Sequence, residues 1–266
     1  MKIILMSSAM GDSDWSMPVF EAIRANGHEV AAVYTRPESS AEIWANKHSI
    51  PVFVPKNFRA AEDVVAFQNL NADIALVAAY GVILPAAVLS APKMGCINLH
   101  PSLLPKYRGA SPFVSAIMNG DTESGVCLIK MGEGLDDGDI FICRKMSIGK
   151  DEQKSELKKR ISEISTEMVL EYLSAPEKFP GVKQIGEPTM TRKITKEMLV
   201  ADFSDPVRMH NMVRAYPVRA RHSGVDLKIT ETRLNDGKLE VLRVHPAGKK
   251  EMDFSAFING HKGSWE

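Results

Sequence analysis

The chain opens with a short apolar run, KIILM (2–6), then a polar stretch, then PVFEAIRANGHE (18–29), whose apolar positions recur at helical spacing up to Gly27. EVAAVYT (29–35) predicts a second strand, SAEIWANKHS (40–49) a helix and PVFVP (51–55) a short extended run. EDVVAFQNL (62–70) predicts another helix, while DIALVAAY (73–80) and GCINLH (95–100) read as strongly apolar strands. Apolar strands alternating with crossover helices predict an α/β fold with a Rossmann-like, mostly parallel sheet covered on both faces. SPFVSAIMNGD (111–121) predicts a helix ended by Asn119 and Gly120, and SGVCLIKM (124–131) and DIFICRKMSI (139–148) predict two more strands. Leu157, Ile161, Ile164, Met168 and Leu173 then lie near helical spacing along one amphipathic stretch, which would cover the sheet.

The pattern changes at FPGVKQIGEPTMTRKITKE (179–197), where proline and glycine accumulate and periodicity lapses, as in a connection between domains. The expected division is a first domain over 1–185, a linker over 186–202 and a small β-rich domain over 203–266. Within the last, VRMHNMVRAY (207–216) predicts a helix. VDLKITETRL, LEVLRVHP and MDFSAFING predict short strands plus a terminal turn.

Composition narrows the class. With 266 residues, 44% apolar and 25% charged, the chain can bury a substantial core. Lys plus Arg equals Asp plus Glu at 33 each, which gives no encouragement to strong polyanion binding. From Lys193 onward there are 13 basic against 10 acidic residues, leaving 20 against 23 before it, a slight segregation only. Cys96, Cys127 and Cys143 lie far apart with no CxxC, so reduced, buried thiols are the expectation. The N-terminal apolar run is too short for a secretion signal, and no stretch approaches the roughly 18 apolar residues of a membrane span. The expected location is cytoplasmic, with no membrane partner.

Candidate chemistry concentrates in CINLHPSLLPKYRGA (96–110). Asn98 and His100 stand at i and i+2 of one extended run, so both side chains face the same way. Ligands of open α/β sheets gather at the carboxyl ends of strands, where this pair falls. An amide can donate to a developing oxyanion, and an imidazole can donate to it or exchange a proton. The residue types alone also suit an Asn and a His that merely satisfy loop backbone. EGLDDGDIF (133–141) adds carboxylates in a tight loop: Asp136, Asp137 and Asp139. Their spacing lacks the one, three, five and later Glu pattern of a calcium loop, so no metal is expected. MSSAMGDSDW has no GxGxxG spacing, which argues against a nicotinamide or flavin site.

The run from Asn98 to Gly109, NLHPSLLPKYRG, followed by GLDDGD (134–139), resembles the signature of the folate-dependent formyltransferases. AYGVILP (79–85) is similar to that family's pterin-loop segment. RKITKE, VRAYPV and the GKKEM to FINGH tail resemble the branch acting on methionyl-tRNA. The resemblance implies transfer of the formyl group of 10-formyltetrahydrofolate, a co-substrate, to the α-amine of methionyl-tRNA during translation initiation. It carries the catalytic positions onto Asn98, His100 and Asp136, with Asp136 orienting the imidazole and favouring its protonated form. It carries folate contacts onto Ser102, Leu103, Leu104 and Pro105, and onto Tyr80, Gly81, Ile83 and Leu84; Leu103, Leu104 and Tyr80 equally suit core packing. Arg108 suits the folate glutamate tail, a substrate phosphate or solvent.

Two departures bear on the acceptor. RPESSAEIW passes directly into a helix where the tRNA enzymes would carry a longer basic loop, and the tail is a reduced version of an OB-like barrel. The first loop, MSSAMGDSDWSMP, replaces a shorter turn. A tRNA would then rely on Lys193, Lys196, Arg208, Arg214, Arg219, Arg221, Lys249 and Lys250. The alternatives are a formyltransferase for an amino-sugar nucleotide, a catalytically idle folate- or RNA-binding module, and hydrolysis of the folate to formate.

Overall fold

A computed structural model describes residues 1–10 and 14–266; residues 11–13, within the long first loop singled out above, lie outside the described residues. The elements follow the apolar pattern closely. They begin with β1 (Lys2–Met6), α1 (Met17–Ala25), β2 (Glu29–Tyr34), α2 (Ser40–Lys47), β3 (Val52–Phe53), α3 (Ala61–Asn69) and β4 (Ile74–Val77). Next come α4 (Ala86–Leu89), β5 (Cys96–His100), the two-residue β6 (Arg108–Gly109), α5 (Pro112–Met118), β7 (Glu123–Lys130) and β8 (Ile140–Ser147). The chain continues through α6 (Lys154–Ser174), the short β9 (Met190–Thr191), α7 (Pro206–Ala215), β10 (Val218–His222), β11 (Val225–Asn235), β12 (Lys238–Pro246), β13 (Met252–Asp253) and α8 (Phe254–Gly260).

Seven strands form one sheet in the order β3-β2-β1-β4-β5-β7-β8. β1 to β5 run parallel and β7 pairs antiparallel with β5, so the sheet is mixed but mostly parallel. Continuous burial of Ile3 to Met6 and of Ile74 to Val77 explains the unbroken apolar runs: these strands are covered on both faces. Strand order reverses at β1, between β2 and β4, which places the crevice of an open α/β sheet at the carboxyl ends of the central strands. Gly27, at φ +78°, takes the left-handed turn after α1, which only glycine adopts without cost.

The described residues fall into two compact units: Met1–Ala110, Gly125–Lys145 and Lys158–Met190 form one, and Ser111–Ser124, Met146–Leu157 and Thr191–Glu266 the other. The second is built on an antiparallel sheet, β10-β11-β12-β13, around Met209, Met212, Val218, Leu227, Ile229, Val244 and Phe257. The α/β fold with a smaller β-rich tail is therefore as expected.

Two local expectations need correction, and one strand went unpredicted. MDFSAFING supplies only the two-residue β13, and the rest is helix α8, because Phe257 is drawn into the core and stacks on His261 one turn later. β10 was not legible as a strand. The thiols of Cys127 and Cys143 are not free: they lie on neighbouring strands with Cα atoms 4.1 Å apart and form a disulfide, while Cys96 is a free, buried thiol. Among the described residues, no helix is long and apolar enough to cross a membrane.

Candidate active site

β5 ends in the two residues singled out by their spacing. Asn98 lies beside Val77 of β4 and Ile129 of β7, and His100 beside Cys127 of β7, so both are held on a strand paired on each side. The chain leaves β5 through a tight turn in which the Ser102 amide donates to the His100 carbonyl (2.9 Å) and the Ser102 hydroxyl to the Lys106 carbonyl (2.6 Å). That turn returns the Tyr107 carbonyl to within 2.9 Å of His100 Nε2. A carbonyl can only accept, so Nε2 carries the hydrogen and Nδ1 faces the other way.

What Nδ1 faces is Asp136. Its Oδ2 lies 3.5 Å from His100 Nδ1 and accepts from the Gly109 amide at 2.8 Å, while Oδ1 accepts from Asn98 Nδ2 at 3.2 Å. The amide, the imidazole and one acid of the 133–141 loop are thus in direct contact. Asp136 has φ +49°, a left-handed backbone that non-glycine residues seldom adopt, and this turns its carboxylate in while Asp137 is exposed. Among the described residues, no group of three or more His, Cys, Asp or Glu is arranged to hold a metal ion.

Opposing influences act on His100. Burial pushes His100 below the usual imidazole range, and Arg108 adds to this; Asp136 and the Tyr107 carbonyl pull upward without reversing it. Asp136 thus favours the charged imidazole, as the sequence predicted, but its pull is smaller than the opposing effect of burial.

The residues expected to touch folate divide. Tyr80 and Leu84 belong to a core cluster with Tyr34, Phe67 and Cys96, and Leu104 to another with Cys127, Ile129 and Ile140. Ser102 is buried in the turn just described, Leu103 packs over Gly125, and Pro105 sits close to Gly186. Gly81 takes φ +70°, and Ile83 is 88% exposed. Leu135, next to Asp136, is a large apolar side chain left 58% exposed, and its neighbourhood to the acid was the signal by which it could have been found. Two further residues of the site were missed altogether: Tyr107, which acts through its carbonyl, and Gln184. The Gln184 amide donates to the carbonyls of Asp136 and Gly138 (2.8 and 2.9 Å), and its oxygen accepts from Arg108 (2.7 and 3.1 Å).

Comparison with known proteins gives the family. Residues 1–173 match the model of the formyl transferase family, and the chain is 34% identical over 302 residues to the methionyl-tRNA formyltransferase of Bartonella quintana (strain Toulouse), covering 96% of this chain and 97% of that one. The chain belongs to the formyl transferase family. Among solved structures it is similar to the methionyl-tRNA formyltransferase from Clostridium thermocellum, with TM-score 0.66, 21% identity and coverage of 92% of this chain and 98% of that one. It is also similar in fold to WlaRD, a sugar 3N-formyl transferase crystallised with dTDP and 5-N-formyl-THF (TM-score 0.69, 15% identity, 94% and 98% coverage).

Of the basic residues that the sequence offered for tRNA, Arg214 is buried, donating to the Gly149 carbonyl at 2.8 Å and to Asn211 Oδ1 at 2.8 Å. Arg219 and Arg221 instead border a cavity of about 630 Å³ in the second unit, with Lys228, His245, Asp226 and Glu266.

Proposed function

We propose that this formyl transferase moves the formyl group of 10-formyltetrahydrofolate onto the α-amine of methionyl-tRNA. The observation that carries the reading is likeness to a methionyl-tRNA formyltransferase over nearly the whole of both chains, joined to the contact among Asn98, His100 and Asp136. Ile83, on the loop that follows β4, and Leu135, next to Asp136, leave apolar side chains exposed, as suits the face of a flat pterin ring.

The chemistry follows from the donors present. The uncharged amine attacks the formyl carbon, a C–N bond forms, and the carbonyl oxygen becomes an oxyanion. Asn98 Nδ2 has two hydrogens; one is directed at Asp136, and the other is free to donate to that oxygen. The attacking nitrogen must shed a proton, and His100 in its uncharged form is suited to take it; the resulting imidazolium is stabilised by the Asp136 carboxylate. Breaking the bond to N10 of the folate, with proton return to N10, completes the balance. In this scheme Asn98, His100 and Asp136 are the catalytic residues, and the folate contacts lie along residues 80–84 and 102–105.

The second reading, formyl transfer to an amino-sugar nucleotide, is favoured by one observation: only the short connection 35–39, with Arg36 its single basic residue, joins β2 to α2, whose N-cap is Ser39. Labelled 10-formyltetrahydrofolate offered with methionyl-tRNA, with amino-sugar nucleotides or with water distinguishes the readings. Label on methionyl-tRNA is expected, and label only on sugar would replace this function with the second.

A further inference from the structure

We propose that Gln184 is a positioning residue for formyl transfer: its one side-chain amide fixes the loop that carries Asp136 against the loop that carries Tyr107, Arg108 and Gly109. The proposal rests on the formyl-transfer reading above. Between Gly181 and Met190 every other residue is exposed, and Gln184 alone is half-buried. Its neighbour Ile185 is 86% exposed, so the segment is not held there by apolar packing. What holds it is the backbone pairing of Val182 with Ile140 (2.8 and 2.9 Å) together with a set of polar contacts that use both amide hydrogens and the amide oxygen of Gln184. Nε2 donates to the Asp136 and Gly138 carbonyls, and Oε1 accepts from Arg108 Nη2 and Nε. Carbonyls only accept and a guanidinium only donates, so this amide can be oriented in one way only.

The consequence concerns Asp136. Its backbone is left-handed, and the preceding residues Gly132, Glu133, Gly134 and Leu135 are all exposed, so on that side no buried side chain resists relaxation of the strained turn, while beyond it Gly138 packs against the Lys130 carbonyl. Two hydrogen bonds from Gln184, one to Asp136 itself and one to Gly138, bracket the turn. They set the carboxylate where it meets Asn98, Gly109 and His100 at once. Gln184 touches none of the reacting groups directly. Its removal should leave the segment attached, because Thr189 is independently bonded to the same region: Arg108 N donates to the Thr189 carbonyl (2.8 Å) and Tyr107 N to its hydroxyl (2.8 Å).

Two substitutions test this. Gln184→Ala removes every contact, whereas Gln184→Glu keeps an oxygen for Arg108 but has no hydrogen to give the two carbonyls. Both should lower kcat by roughly 10- to 100-fold, the range that a misplacement of about 1 Å produces. KM for the folate and for the acceptor should stay within about threefold, since no ground-state contact is lost. The melting temperature should stay within about 3 °C of wild type, as for other substitutions away from a core. Full kcat in Gln184→Glu would overturn the proposal, because the bonds to the carbonyls would then be irrelevant. A loss confined to KM would overturn it by making Gln184 a binding group, and unfolding of both variants would overturn it by giving the amide a merely structural role. Wild type is run beside them: if it formylates an amine other than methionyl-tRNA, the acceptor reading fails, and the same kcat ratios are then read with that amine.

Discussion

Asn98 gives the most direct test of the chemistry. Its side chain has one hydrogen committed to Asp136 and one free for the oxyanion, and loss of a preorganised donor typically costs roughly 10²- to 10³-fold in rate. Asn98→Ala should therefore fall by about that factor in kcat while circular dichroism and melting stay near wild type. Turnover at the wild-type rate would remove the amide from the mechanism. His100 allows a prediction with a sign. Its pKa in the folded chain lies below the ordinary 6.5 because burial outweighs the pull of Asp136. A depressed histidine binds fewer protons folded than unfolded, so its contribution to stability is complete above 6.5 and is lost as pH falls from there towards the lower folded value. In a ring-proton NMR titration of the free protein, the His100 midpoint should appear below 6.5, and in Asp136→Asn it should move lower still, since a group that raises it is gone. A midpoint that rises in that variant would contradict the assignment of charges. The i, i+2 spacing placed Asn98 and His100 on one face and the Gly-rich loop offered three acids, but it was the family resemblance that separated Asp136 from Asp137 and Asp139 and gave the three their roles. Gln184 and the Tyr107 carbonyl were not: a main-chain acceptor has no residue type to read, and the carbonyls that Gln184 meets belong to residues 46 and 48 positions away in sequence.

The loop between β7 and β8 decides whether Asp136 arrives at all. Gly138 has no room for a side chain, because an added Cβ would overlap the Lys130 carbonyl oxygen, a backbone atom that cannot swing aside. Gly138→Ala should force the loop outward, cost about 1–3 kcal/mol as overpacking does, and reduce kcat together with stability. Equal melting temperatures for the two proteins would show that the loop has slack which the geometry denies. The same contrast between local and distant causes explains which elements could be read beforehand. β1, β4 and β5 are apolar throughout because they are buried on both faces, so sequence and environment agree. In β10, VRARH, the inward positions are Val218, Ala220 and His222, and the last is a polar type buried among Phe254, Phe257 and Trp265. Its alternation is real but is spelled with a histidine where a hydrophobe would be recognised. α8 was hidden for a similar reason: Ser, Asn and Gly are poor helix formers, and burial of Phe257 supplies what propensity does not.

Charge sets the remaining expectation, which concerns how this formyl transferase would hold its proposed nucleic-acid substrate. Affinity for tRNA that comes from phosphate neutralisation falls with salt at roughly 0.7 to 0.9 logarithmic units per phosphate contacted. The chain has a formal net charge of +0, β2 is joined to α2 by a short connection with Arg36 its single basic residue, and Arg214 is withdrawn into the interior of the second unit. Around the 630 Å³ cavity, Arg221 is already engaged by Asp226 and Glu266 at 3.6 and 3.2 Å. Of the eight cations named from the sequence, Arg214 and Arg221 are thereby withdrawn and six are left to release counterions. A plot of log association constant against log salt for methionyl-tRNA should have a slope no steeper than about −5, corresponding to roughly six phosphates. Discrimination then rests also on the methionyl end proposed to lie at Asn98 and His100. Deacylated tRNA should accordingly bind distinctly more weakly than methionyl-tRNA in the same titration. A slope near −6, or equal affinity for the two RNAs, would mean that a cationic surface outside the groups named here carries the substrate.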